Sequence, residues 1–338
     1  MHNETFTLGI DIGGTNTVLG LVSWNGTCVE KTRFFTQECP SVEDFKMKLV
    51  AGISQLSQKN GAARNISGIG IAAPAARHID GTIQSPANLQ WGTIDIVRLL
   101  KPYYNVPVVL TNDSNAAALG EMKFGLARGM KNFVVITMGT GLGAGIVVDG
   151  RLLYGENGVA GELGHMTIEP GGRHCGCKRQ GCVETYVSAS GIRRTVFELL
   201  ADSTEDSELR KISFNDLSAE TIYDLARNED PVAVQAFNFT GRILGRVLSN
   251  TVAVFDPEAI ILSGGLMHAG RLLLEPTTKA YHENVLKLHK KKAVILQSQL
   301  KDGEAAILGA SSLIGDGALS VKPAGTAENL AGSVVLEE

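Results

Sequence analysis

Phe133-Val134-Val135-Ile136-Thr137-Met138-Gly139-Thr140-Gly141-Leu142-Gly143-Ala144-Gly145-Ile146-Val147-Val148 reads as a strand, a glycine turn and a second strand. Phe133 to Thr137 is apolar and of strand length, glycines alternate from Gly139 to Gly145, and Ile146 to Val148 resumes the apolar run. Asp149-Gly150 turns the chain so that Arg151 to Leu153 pairs back. The same order of events occurs near the start. Phe6 to Ile12 is a short apolar strand, Gly13-Gly14-Thr15 turns it, Thr17 to Val22 is a second strand, and Asn25-Gly26 is a hairpin signal before a third strand around Cys28 to Phe35. A layout used twice is an internal duplication. It predicts an α/β fold of two similar halves that face each other across one cleft, each contributing a glycine turn.

Glycines at such turns let backbone N–H groups approach a phosphate closely, and Thr15 adds a hydroxyl donor. Asp11 is placed to hold a hydrated Mg2+, an ion that keeps several waters and takes few carboxylates. The competing reading of the first turn is a plain tight hairpin. The glycine pattern from Gly139 to Gly145 is not a dinucleotide fingerprint, because a strand rather than a helix follows it.

Downstream of the second turn the chain reads Gly161-Glu162-Leu163-Gly164-His165, then Cys175-Gly176-Cys177, then Cys182-Val183-Glu184. The spacing is H-x9-C-x-C-x4-C. A Cys3His set suits tetrahedral zinc, and four protein ligands leave no open position for water. His165, Cys175, Cys177 and Cys182 are therefore expected to hold a structural Zn2+, and a zinc hydrolase is disfavoured. The alternative is one disulfide and a spare thiol. Glu162 and His165, three residues apart, fall on one side of a helical turn, and Glu184 follows the last Cys by two. A metal that orders this loop also orders the side chains it points into a pocket. The phosphate turns lie elsewhere in the chain, so disturbing the loop is expected to leave ATP affinity nearly untouched.

Between these features, Val42 to Asn60 has helical spacing and Ile66 to Ala73 reads as a buried strand. A loop with Arg77 and His78, both read as surface, leads to Ser85-Pro86-Ala87-Asn88-Leu89. Asn88 is the kind of amide that reads a sugar hydroxyl, or it is a turn residue. Val106 to Leu110 is a strand running into Thr111-Asn112-Asp113-Ser114-Asn115, where a helix begins. Asp113 thus sits at the carboxyl end of a strand, where open α/β sheets place ligands, or it simply caps the helix. Further on, Thr185 to Leu200, Ala219 to Arg227 and Pro231 to Phe255 read as helices joined by a polar surface connection from Asp202 to Ser218. Ala259 to Leu262 is a strand ending in Ser263-Gly264-Gly265, a nucleotide contact or a plain strand end. Val294 to Gln297 is a strand, Ala305 to Ile314 a helix, and residues 316–338 a peripheral tail.

The chain of 338 residues is long enough for two domains, and at 44% hydrophobic it can bury a core in each. A formal charge of −4 offers no nucleic-acid footprint. Apolar runs are strand-length and the start shows no signal peptide, so no membrane partner is expected and a cytoplasmic location is. Cys28 and Cys39, left over from the zinc set, are expected as reduced thiols.

Together these motifs resemble the ROK family of bacterial-type sugar kinases and repressors, within the actin-like, ribonuclease H-like ATPase superfamily. The resemblance is carried by Asp11-Ile12-Gly13-Gly14-Thr15, by Asn112-Asp113-Ser114-Asn115-Ala116-Ala117, by Gly139-Thr140-Gly141-Leu142-Gly143, and by the zinc segment with its Glu162 and Glu184. Ser263-Gly264-Gly265 looks like the family's adenosine-contacting segment. The likeness covers roughly residues 6–315, and the zinc segment is its most specific part. It implies two ribonuclease H-like domains flanking a cleft: residues 1–112 with about 300–315, and 113–299 with the zinc knuckle.

By the same resemblance, Asp113 is the general base on a sugar 6-hydroxyl, and Asn88, Asn112, Glu162, His165 and Glu184 bind sugar hydroxyls. Asp11, Gly13, Gly14, Thr15, Asn16, Thr140, Gly141, Gly264 and Gly265 surround ATP. Asn16 stands where many members carry Lys, which puts a phosphate contact there in doubt. The implied activity is ATP-dependent phosphorylation of a hexose, glucose first and N-acetylglucosamine or N-acetylmannosamine as alternatives, by a homodimer or homotetramer. A sugar-sensing repressor of the same family is the rival; those members carry a DNA-binding segment before the first phosphate motif, where only seven residues precede Leu8 here.

Overall fold

A computed structural model describes residues 5–59, 62–84, 91–289, 293–301 and 303–314. The first half begins with β1 (Thr5–Ile12), β2 (Asn16–Ser23), β3 (Cys28–Phe35), α1 (Val42–Leu56), β4 (Asn65–Ala73), β5 (Val108–Asn112) and α2 (Asp113–Phe124). The second runs β6 (Phe133–Met138), β7 (Leu142–Val148), β8 (Arg151–Leu152), α3 (Ala189–Asp202), α4 (Ala219–Arg227), α5 (Pro231–Phe255), β9 (Ala259–Ser263), α6 (Arg271–Asn284), β10 (Val294–Gln297) and α7 (Glu304–Ser311).

The duplication is visible in the hydrogen bonding. The first sheet has the order β5-β4-β1-β2-β3 and the second β8-β7-β6-β9-β10. In each, a three-stranded antiparallel meander is extended by two parallel strands on the far side of its first strand. The two glycine turns occupy the same place, between the first and second strand of each meander.

The period-2 alternation of β1 explains what covers its two faces. Leu8, Ile10 and Ile12 point to one side and pack with Phe45, Leu49 and Ile53 of α1, whose Ser41 cap accepts from Asp44 N at 3.2 Å. The opposite face is trimmed. A Cβ at Gly9 would lie 2.1 Å from the Ile307 carbonyl oxygen, and one at Gly70 1.7 Å from that of Ala310, so α7 rests directly on the sheet. Helix α7 also meets α2 backbone to backbone at Gly309, where a Cβ would stand 1.6 Å from Ala116 O. In the second half, Val134, Ile136 and Met138 face α5 and α6, while Phe133, Val135 and Val147 face Ala117 and Ala118 of α2. Helix α2 is therefore packed against elements of both halves.

Helix α1 ends at Leu56 rather than Asn60, and the connection from Asp202 to Ser218 buries Leu209 and Leu217 instead of lying wholly on the surface. Helix α6 is an addition to the sequence reading. Pro276 sits inside it, tight against α5: a Cβ on Gly241 would come within 2.6 Å of the Pro276 ring. Among the described residues no helix is long and apolar enough to cross a membrane.

Candidate active site and metal centre

Asp113 is the first residue of α2, at the carboxyl end of β5. The cap is its neighbour: Asn112 Oδ1 accepts from Ser114 N at 2.8 Å. Asp113 Oδ1 also accepts from Ser114 N, at 2.7 Å, and from Ser114 Oγ at 3.2 Å. Ser114 Oγ lies 2.9 Å from Thr137 Oγ1 on β6, which ties the first turn of α2 to the strand that feeds the second glycine turn. Burial pushes the Asp113 carboxyl above the usual range, against the pull of the Ser114 hydrogen bonds. Asp11, at the end of β1, is pushed up to about 7 by burial and by the charge of Asp113. Two carboxylates in mutual electrostatic reach make a place that a cation stabilises, and an oxygen donor at Asp11 suits Mg2+.

The first turn is held within its own half. Gly13 N donates to Asn16 O at 2.9 Å and Thr36 N to Thr15 O at 2.8 Å. Asn16 begins β2, and its Oδ1 is buried without a hydrogen-bond partner. The second turn closes through Gly139 N to Gly141 O at 3.0 Å. Its other bonds reach 42 to 50 residues ahead. Glu184 Oε2 accepts from Leu142 N at 3.0 Å, Ala189 N donates to Gly139 O at 2.9 Å, and Ser190 Oγ donates to Thr140 O at 3.0 Å. A Cβ at Gly141 would sit 2.4 Å from Glu184 Oε2, so a larger residue there displaces the Glu184 carboxylate from the turn. The knuckle and the second turn are thus one hydrogen-bonded unit, although they lie far apart in the chain.

The four expected metal ligands converge. One ligand atom from each of His165, Cys175, Cys177 and Cys182 lies within 4.8 Å of all the others. His165 Nδ1 and Cys175 Sγ are 3.6 Å apart, as are the Cys177 and Cys182 sulfurs. A tetrahedral zinc with bonds of about 2.3 Å to sulfur and about 2.0 Å to nitrogen sets neighbouring ligand atoms about 3.5–3.8 Å apart. The set fits that ion. Burial and the neighbouring thiols push Cys182 up to about 12. Cys28 and Cys39 are free, as are the three knuckle thiols.

With Nδ1 turned to the metal position, His165 Nε2 lies 3.9 Å from Glu162 Oε2. Glu162 precedes a short 3-10 turn, Leu163–His165, which puts both side chains on one side as their spacing implied. Its carboxyl is raised by burial, opposed by His165, and raised further by Asp113 and Glu184. Asp113, Glu162, Glu184 and His165 therefore share one electrostatic neighbourhood. Asn88 lies outside the described residues. Gly264 has a φ of +96°, with Met138 O 2.5 Å from where a Cβ would be. Beside it a cavity of about 290 Å3 is lined by Ser263, Gly264, His268, Gln297, Ser298 and Lys301.

Two residues escaped the sequence reading. Arg173 is buried within the knuckle and donates to Thr185 O at 2.7 Å, Gly191 O at 3.2 Å, Thr195 Oγ1 at 3.0 Å and Glu198 Oε1 at 2.8 Å. Its guanidinium also stacks on Tyr186, 4.4 Å from the ring centre. Arg173 rivets the metal loop to α3, and an Arg beside His and Cys has no spacing that reveals this. His78 is half-buried rather than free on the surface: Nδ1 lies 2.9 Å from Leu110 O, and the ring stacks on Tyr154 at 4.5 Å.

The ROK family profile matches residues 7–316. A glucokinase from Halalkalibacterium halodurans is 32% identical over 288 residues, covering 84% of this chain and 87% of that one. A ROK family glucokinase from Streptomyces griseus, solved with glucose and AMPPNP, is 32% identical with a TM-score of 0.79 over 91% of this chain and 99% of that one. A ROK family transcriptional regulator, a homolog of the E. coli MLC protein, is 28% identical with a TM-score of 0.82, over 92% of this chain and 78% of its own. The two duplicated sheets, the paired glycine turns and the Cys3His knuckle are read the same way by sequence and by structure, and the chain belongs to the ROK family.

Proposed function

We propose that the protein is an ATP-dependent hexose kinase that phosphorylates glucose at its 6-hydroxyl. The observation that carries this is Asp113: a half-buried carboxylate at a helix start, tied to β6 through Ser114 and in electrostatic reach of Asp11 and of Glu162. In this reading the ionised Asp113 takes the 6-hydroxyl proton as that oxygen attacks the γ-phosphorus. The new O–P bond forms, the bond to the β–γ bridging oxygen breaks, and ADP leaves. Phosphoryl transfer needs mainly positioning and charge neutralisation. Backbone N–H groups of both turns and the Thr15 hydroxyl supply part of the second. Asp11 would hold a hydrated Mg2+, and that ion would supply further charge neutralisation when bound. Asn112, Glu162, Glu184 and the free Nε2 of His165 hold the sugar hydroxyls, and the cavity beside Gly264 takes the adenosine end.

The residue ranges 1–112 with about 300–315, and 113–299, are the two bodies that close on the substrates in this reading. The glucokinase likeness supports glucose. One coupled assay with ATP and glucose, mannose, fructose, N-acetylglucosamine and N-acetylmannosamine tests it. Preferential turnover of glucose is expected, and preference for an N-acetylated sugar moves the protein to that branch. No turnover of any of them, from zinc-loaded protein, removes the kinase reading.

A further inference from the structure

We infer that the segment from Cys182 to Ser190 makes the metal knuckle the support of the second phosphate turn, so that zinc and nucleotide bind cooperatively. The inference rests on the kinase reading for the identity of the nucleotide. Its structural basis is separate. Cys182 is the last metal ligand, and Glu184 follows within the same 3-10 turn, Val183–Thr185. Three bonds then run from this segment to consecutive parts of the turn: Ala189 N to Gly139 O at 2.9 Å, Ser190 Oγ to Thr140 O at 3.0 Å, and Leu142 N to Glu184 Oε2 at 3.0 Å.

The segment is braced from behind. Ser188 Oγ donates to Glu184 O at 2.7 Å and accepts from Gly191 N at 2.9 Å, and Arg173 holds Thr185 O and Gly191 O. Glu184 is thus a positioning residue for the phosphate turn as well as a sugar ligand in the proposed reading. Its Oε1 lies 3.9 Å from Cys175 Sγ, so one carboxylate spans the metal site and the turn. Metal that orders Cys182 fixes the start of this segment, and metal that orders Cys175 fixes a neighbour of the Glu184 carboxylate. Nucleotide that fixes the turn orders the brace in return, and a coupling between two equilibria acts equally in both directions.

The test uses full-length protein, zinc-loaded and stripped with a zinc-selective chelator. Mg-AMPPNP affinity is measured by calorimetry, and zinc affinity by chelator competition with and without Mg-AMPPNP. Stripping is expected to weaken nucleotide binding roughly tenfold, and Mg-AMPPNP to tighten zinc by the same factor. Ser190→Ala keeps every metal ligand and removes one of the three bonds. It is expected to weaken nucleotide about 3- to 10-fold with glucose affinity unchanged, a split that general destabilisation does not produce. If stripping unfolds the protein, as followed by circular dichroism, the Ser190→Ala split and the zinc competition decide. Unchanged nucleotide affinity in both the stripped and the Ser190→Ala proteins, or equal loss of nucleotide and glucose in the latter, overturns the coupling. Failure of the zinc-loaded wild type to bind Mg-AMPPNP overturns the kinase reading first and the coupling with it.

Discussion

The two glycine turns stand at equivalent places in two sheets of the same order, yet they are held in different ways. The first is closed by its own backbone and by the end of β3, through Thr36 N to Thr15 O. It brings its own carboxylate, Asp11. The second brings no carboxylate and borrows one, Glu184, from the metal knuckle. A Cβ at Gly13 would meet Asn16 O of the same turn at 3.0 Å, whereas one at Gly141 would meet Glu184 Oε2 at 2.4 Å. Duplication supplied two equal scaffolds; what was inserted after β8 made one of them dependent on a distant loop.

Asp113 belongs to both turns, through the Asp11 charge on one side and the Ser114–Thr137 contact on the other, and its loss is the largest effect expected. Asp113→Asn should lower kcat by roughly 10²–10⁴ while Mg-AMPPNP binding persists. The cap, Asn112, is untouched by this change, so turnover near wild type in steady-state kinetics takes Asp113 out of the mechanism. Next in size is the direct contrast of the turns. Gly141→Ala pushes Glu184 aside and should raise KM for both ATP and sugar, on the order of tenfold each, the effect of one charge-assisted hydrogen bond. Gly13→Ala should raise KM for ATP alone and by less. Equal profiles for the two variants erase the distinction.

A smaller effect is expected from Arg173→Met, which removes the Arg173 bond to Thr185 O at the base of the brace, while Gly191 O keeps Thr195 Oγ1 as a donor. Unfolding by denaturant should show a loss of about 2 kcal/mol, kept low because the Glu198 side chain is 57% exposed. Nucleotide affinity should fall with it, and a purely local loss of stability argues against the brace.

The smallest is electrostatic. The folded-state pKa of Asp113 is raised above its ordinary value of 3.8, so the folded protein binds the proton more tightly than the unfolded chain. The ionised carboxylate then costs stability, fully above the raised pKa and not at all below the ordinary one. Asp113→Asn should raise the Tm of ligand-free protein at about pH 8, with the gain shrinking as pH falls towards about 4. A gain that does not change with pH, followed by scanning calorimetry, contradicts the burial of a charge there. The same shift places the acid limb of kcat/KM above the usual carboxylate range, because the base acts ionised.

Much of the scaffold was legible because its signals are local. Strands β3 and β10 and helices α4 and α5 match their expected limits. Alternation in Leu8, Ile10 and Ile12 and the Phe45, Leu49, Ile53 stripe are set by backbone period alone. Helix α6 was missed because Gly270 and Pro276 punctuate it like a loop, and only the Pro276 ring seated on Gly241 of α5 accounts for its course. The metal set was legible for the same reason as the strands: its ligands fall within a short stretch whose spacing survives folding.

The amino-acid sequence by itself determined the duplicated α/β architecture, the two glycine turns and the Cys3His cluster, each of them written in periodicity or in close spacing. Only the tertiary structure decided what holds the second turn, where Arg173 anchors the knuckle, and that His78 is packed on Tyr154 against the end of β5. Those contacts join residues 12 to 76 positions apart. A hydrogen bond between side chain and distant backbone depends on how the intervening chain closes, and no pattern in the intervening residues encodes that closure.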